Sequence, residues 1–161
     1  MISGFNKNTI MKKALLSLML TPISFISFSQ FVAKAEIKED IPGLCDKRNV
    51  YTMLPMFDGQ EEAVCTMKKT EIEKILNDSV SYLKDKPNYI DKGMVSIIIN
   101  CKGNVAQCKI DNKTKAPELD DQVVNVFKTL AFSKSGKLNG KNVDSMTLWS
   151  FEIENGKIKL K

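Results

Sequence analysis

Near its C-terminal end the chain carries one long alternating segment closed by a tight-turn dipeptide, and this limits the folds available to it. In residues 139–153, NGKNVDSMTLWSFEI, the side chains of Val143, Thr147, Trp149, Phe151 and Ile153 fall on one side of a period-two ribbon. Asp144, Ser150, Glu152 and Glu154 fall on the other side, interrupted by the apolar Met146 and Leu148. Asn155-Gly156 follows, the pair best suited to a type I′ turn, and then Lys157 to Leu160 returns. A strand this long needs a sheet under one face, and the pairing of its two backbone edges is a separate question.

The segments before it supply the sheet. Residues 94–100 and 105–110 flank Cys101-Lys-Gly-Asn104 and read as a β-hairpin. Two amphipathic helices flank that hairpin in the chain. In the first, Thr70 and Glu73 suit a capping box, Ile72, Ile75, Leu76, Val80 and Leu83 repeat at helical spacing, and Pro87 closes the segment. The second follows Pro117, with Leu119, Val123, Val126, Phe127 and Leu130 on one stripe. Residues 51–64 read as a short apolar piece leading through a glycine into a helix start at Glu61-Glu62. Residues 135–141 read as a Gly/Lys-rich turn. The order predicts an α+β two-layer domain, an antiparallel sheet of three to four strands with two helices on one face. Trp149, Phe151 and Ile153 are then expected to face Leu130, Phe127 and Val123.

The first 35 residues read as a secretory signal peptide: Met11-Lys-Lys13, the apolar run Ala14 to Leu20, and Ala33-Lys-Ala35 as the cleavage signal. A retained membrane anchor is the rival reading, since weakly apolar residues continue to Ala33. Pro22, four serines and Gln30 weigh against it. Residues 36–50 form an extended lead-in, and residues 51–161 the folded domain. Four of the 24 basic residues precede Glu36, so the remainder carries 20 bases against 19 acids. With lysines scattered among acids, nothing provides the clustered basic face that a nucleic-acid partner requires.

Catalytic groups are scarce. The chain has no histidine, which removes the commonest general base near neutral pH and imidazole metal sites. Cys45, Cys65, Cys101 and Cys108 form no C-x-x-C motif, and in an exported chain they are disulfide candidates. All three pairings remain open. A two-residue turn at Lys102-Gly103 would put Cys101 opposite Asn104 and Cys108 opposite Ile97, roughly 13 Å apart along the ladder. A bridge needs Cα atoms within about 7 Å. The acid pairs Glu61-Glu62 and Asp120-Asp121 suit helix starts, where carboxylates meet the positive end of the dipole. Gly136 and Gly140 miss the phosphate-loop spacing. The reading is a protein that is not an enzyme and uses no cofactor or metal.

In order and spacing the whole pattern resembles the C-terminal domain of the TonB family, periplasmic energy transducers in transmembrane transport, in its single-domain Bacteroidetes-type version. Leu54-Pro-Met-Phe-Asp-Gly-Gln-Glu-Glu-Ala63 is similar to that version's opening P-x-F-x-G-G-x-x-A segment. Gly93 to Val105 resembles its strand, glycine turn and second strand. Leu119-Asp120 resembles its helix opening, and Phe132, Gly140-Lys-Asn-Val143 and Phe151 its closing signature. The resemblance implies a periplasmic protein-binding module whose last long strand pairs with an extended peptide from an outer-membrane receptor or other envelope protein, a mode in which backbone hydrogen bonds do most of the recognition. It places the partner-binding strand at Val143, Ser145, Met146, Thr147, Leu148, Trp149, Ser150, Phe151 and Ile153, and leaves room for a homodimer. An anchored form facing the periplasm is the alternative location. A disulfide-stabilised secreted structural or inhibitor-like domain is the alternative function.

Overall fold

A computed structural model of the chain describes residues 31–161, so most of the expected signal peptide lies outside the described residues. Eleven strands and two helices follow one another: β1 (Ala33–Glu36), β2 (Asn49–Thr52), β3 (Gln60–Glu61), β4 (Val64–Cys65), α1 (Lys69–Ser79), β5 (Asp91–Ile99), β6 (Val105–Asn112), α2 (Pro117–Lys128), β7 (Phe132–Lys134), β8 (Gly136–Leu138), β9 (Lys141–Val143), β10 (Ser145–Glu154) and β11 (Lys157–Leu160). The architecture is mixed α and β with mostly antiparallel pairing. Its main sheet has six strands in the order β1-β2-β10-β5-β6, with β11 also on β10. It is larger than the three to four strands expected, because β2 begins at the end of the lead-in and β1 adds the last three residues of the expected signal peptide. The β2–β10 pair is parallel.

Both helices bury their apolar stripes in one core. Ile72 and Leu76 of α1, Leu119, Val123 and Phe127 of α2, Val95, Ile97 and Ile99 of β5, and Phe151 and Ile153 of β10 are all essentially inaccessible. Each such side chain contributes roughly 1.5–3 kcal/mol. Trp149 lies beside Phe127, ring centres 5.9 Å apart. Phe151 covers Gly93, its cross-strand neighbour, where a Cβ would collide with the ring.

Several local expectations shift. The cap of α1 lies two residues earlier than Thr70 and Glu73: Glu71 accepts from the Lys68 N–H at 2.8 Å. The helix stops at Ser79, well before Pro87, and a 3₁₀ turn spans Ser81–Leu83. Glu61-Glu62 starts no helix; Gln60–Glu61 is a strand paired with β8. The Gly/Lys-rich segment is a small hairpin, β8–β9, turning on Asn139 (φ 51°) and Gly140 (φ 75°). Asn155 (φ 52°) and Gly156 (φ 69°) make the expected I′ turn between β10 and β11. Cys108 does face Ile97, but Cys101 does not face Asn104. The Asn100 N–H donates to the Asn104 carbonyl at 2.8 Å, leaving a three-residue turn with Gly103 at φ 85°.

The lead-in also builds a second small core on the opposite face of the sheet, where Ile41 and Val50 cover Ile98. That explains three consecutive buried isoleucines: Ile97 and Ile99 face the helices and Ile98 the lead-in. A Cys45–Cys101 disulfide, Cα atoms 6.0 Å apart and 56 residues apart in the chain, ties the lead-in to the β5–β6 turn. In the chain-entropy view a loop of that length is worth about 4 kcal/mol.

Beside the disulfide, Asp144 departs from its expected solvent-facing position. It is 1% exposed, and its carboxylate accepts from the backbone N–H groups of Cys45 (2.8 Å), Asp46 (2.6 Å) and Cys101 (2.8 Å). An amide in its place turns an N–H toward buried N–H donors. We expect Asp144→Asn to lower stability by about 3 kcal/mol despite unchanged volume, measured by urea unfolding under oxidising conditions. An effect below 1 kcal/mol would show that the lead-in is held without it.

Candidate functional site

The site is defined by what happens along the outer edge of β10. Its inner edge is paired with β5 from Ser145 to Ile153. On the outer edge, the Tyr51 N–H donates to the Asp144 carbonyl and the Lys161 N–H to the Ser150 carbonyl, both at 2.9 Å. Even-numbered residues of β10 therefore direct their backbone groups outward. β2 occupies this edge at Ser145 and Met146, and β11 occupies it from Phe151 to Glu154. Between them, from Thr147 to Ser150, no strand among the described residues is paired with it. The N–H and C=O of Leu148 and the N–H of Ser150 face this gap.

The open stretch is shorter than the sequence led us to expect. Val143 belongs to β9, Ser145 and Met146 lie against β2, and Phe151 and Ile153 are buried residues of the β10–β11 ladder. Only Thr147, Leu148, Trp149 and Ser150 remain of the nine residues proposed. The own-chain strands that take the rest come from the lead-in, which carries no alternation to announce β2, and from the Asn155-Gly156 return.

Side chains around the gap are suited to contact. Leu148 is 46% exposed, one of the few large apolar side chains left in solvent. Beside it a cavity of about 200 Å³ is lined by Met53, Leu54, Ala63, Met146 and Leu148, with Glu62 also contributing. The Trp149 ring packs on Phe127 beneath the strand, and its buried Nε1 has no hydrogen-bond partner among the described residues.

Other edges of the main sheet carry devices that discourage pairing. Along β11, Asn77 acts as a substitute strand: its Nδ2 donates to the Ile158 carbonyl and its Oδ1 accepts from the Ile158 N–H, both at 2.9 Å. Glu73 accepts from the Leu160 N–H at 2.8 Å. The register of β6 slips at both ends, at Ile98/Ile99 and Met94/Val95, and its exposed Lys109 adds a charge. Bulges and edge lysines are common protections against unwanted strand addition. β1 is short and largely exposed, with Lys34 and Glu36.

The remaining candidate groups have structural partners. Cys45 and Cys101 are bonded to each other, so their proximity to Asp144 offers no free thiolate to a metal. Asp120 accepts from the Thr114 N–H (3.0 Å) and hydroxyl (2.7 Å), fixing the approach to α2. Cys65 and Cys108 are free thiols, and burial pushes Cys108 up to about 11. Comparison with known proteins adds nothing to the geometry: no family model matches the chain, and no curated protein or solved structure matches it.

A buried thiol held in its protonated form is a poor nucleophile. Iodoacetamide at pH 8 is expected to alkylate the half-buried Cys65 and to leave Cys108 unmodified until denaturant is added, as followed by peptide mass spectrometry. Rapid native labelling of Cys108 would contradict its burial.

Proposed function

We propose that the protein is an exported, non-enzymatic binding module of the TonB C-terminal type, which takes an extended peptide from an outer-membrane receptor or another envelope protein onto the open stretch of β10. The observation that carries this reading is the gap from Thr147 to Ser150, where no strand among the described residues pairs with the outer edge of β10, in a sheet whose other edges are protected. A guest strand would satisfy the outward groups of Leu148 and Ser150 and cover the Leu148 side chain. The order of helix, hairpin, helix and long strand fits the same reading, as does the exported leader that the sequence implies.

The finer fold assignment belongs to this proposal. Relative to the family pattern, the segment from Ala33 to Thr52 adds two strands and a disulfide, and one of those strands, β2, shortens the edge available to a guest. The protein is accordingly a binder of short segments, about four residues in contact along the backbone.

Backbone amide shifts of the ¹⁵N-labelled protein, titrated with extended peptides from envelope receptors encoded beside it, test the reading. The largest changes are expected at Thr147 to Ser150. Leu148→Pro removes an N–H that faces the gap and leaves the β5 ladder intact, so it should weaken peptide binding at least tenfold while amide-exchange protection of β5 persists. Binding unaffected by that substitution, or no peptide-induced shift in the gap, would sink the proposal.

A further inference from the structure

The cavity at one end of the open stretch has a composition that backbone pairing does not require. It lies where the chain leaves β2, against Glu62, Ser145 and the residues of β10 that begin the gap. Met53, Leu54 and Ala63 give it apolar walls, and its volume of about 200 Å³ is several times the roughly 30 Å³ share of a single water. A guest strand paired with β10 runs beside this space, and every second side chain of the guest points to the face on which it opens.

Two polar groups of the lining lack partners. Ser145 is 2% exposed, and its hydroxyl has no hydrogen-bond partner among the described residues. Its near neighbour is Gly136, where even a Cβ would come within 2.6 Å of that hydroxyl, so β8 brings no side chain to pair with it. Buried hydroxyls in folded proteins are nearly always paired. Glu62 is exposed at the same cavity, and among the described residues no cation pairs with it, whereas the adjacent Glu61 is held by Lys137 at 3.0 Å. No lysine or arginine lines the cavity.

Apolar walls, a carboxylate and a hydroxyl that can accept, with no cation of the protein's own, match a side chain that has an aliphatic stem and a cationic head. An ammonium carries three donors and can serve both acceptors at once. A guest carboxylate would meet Glu62 as a like charge, and a wholly apolar side chain would leave the Ser145 hydroxyl unmet.

We propose that this cavity is a lysine pocket: the strand that pairs with β10 between Thr147 and Ser150 places a lysine in it, the stem against Met53 and Leu54 and the ammonium shared by Glu62 and the Ser145 hydroxyl. The inference rests on the peptide-binding reading of that edge and adds a sequence requirement to it. Glu62 is then the residue that selects the guest.

Three capped five-residue peptides of alternating valine and threonine, identical except for a central lysine, norleucine or glutamate, test the pocket by titration into the ¹⁵N-labelled protein at low ionic strength. Norleucine keeps a straight aliphatic stem without the charge. The lysine peptide is expected to bind about threefold to fivefold more tightly than the norleucine peptide and at least tenfold more tightly than the glutamate peptide. Glu62→Gln changes an exposed side chain and should bring lysine level with norleucine without altering the amide spectrum of the core, and high salt should do the same. Equal binding of the lysine and norleucine peptides, with the Thr147 to Ser150 amides still shifting, would overturn the lysine pocket and leave the edge reading standing. A lysine preference that survives Glu62→Gln would overturn it as well, and no shift with any of the three peptides would overturn both readings.

Discussion

The antiparallel ladder between β5 and β10 is the interaction on which everything else is arranged. It runs from Asp91–Ser96 against Ile153–Leu148 through to Ile99 against Ser145, and it places Val95, Ile97, Ile99, Phe151 and Ile153 on a single face. Both helices need that face, because neither stripe can be buried against the other alone. β5 is then paired on both edges, by β6 and β10, while β10 has one edge to distribute. The chain distributes it unevenly: a parallel contact from β2 at one end, an antiparallel return at the other, and, among the described residues, no strand between.

What was readable in the sequence follows from which signals are local. Leu119, Val123 and Phe127 announce α2 because a stripe at helical spacing is a property of neighbouring residues, and Asn155-Gly156 announces its turn because both residues tolerate positive φ. β2 could not be read the same way. Four residues with one buried side chain, Val50, carry no alternation, and its partner strand lies more than ninety residues downstream. Asp144 shows the same limit more sharply. A carboxylate in an alternating strand reads as solvent-facing, yet its three donors come from Cys45, Asp46 and Cys101, brought together only by the fold.

The candidate site was legible in part for the same reason. The length and alternation of residues 143–153 point to a strand whose edges matter, and the open stretch does fall inside it. Its limits do not show in the sequence, since Met146 is covered by a strand from the lead-in and Phe151 by one from the far side of a turn. Asn77 is another device that sequence hides. On α1 it reads as a polar surface residue, but both its amide atoms complete the backbone bonding of Ile158 and so close an edge that would otherwise compete with β10.

The size of the gap bears on the kind of binding it can support. Three outward backbone groups, at a net 0.5–1.5 kcal/mol for each hydrogen bond, give at most about 4.5 kcal/mol before the guest's ordering entropy is counted. On its own that corresponds to millimolar affinity at best. Tighter binding has to come from side chains: Leu148, nearly half exposed, and the cavity of about 200 Å³ beside it, where Met53, Leu54 and Ala63 lie among the polar Thr52, Glu62 and Ser145. Burying one aliphatic side chain there adds roughly 1.5–3 kcal/mol, enough to move the interaction toward the micromolar range and to make it selective for sequence. An edge that recognised backbone alone would accept any extended segment. On the proposed reading, a short gap coupled to a partly apolar cavity would discriminate and would release its guest quickly, which suits repeated transient engagement better than permanent assembly.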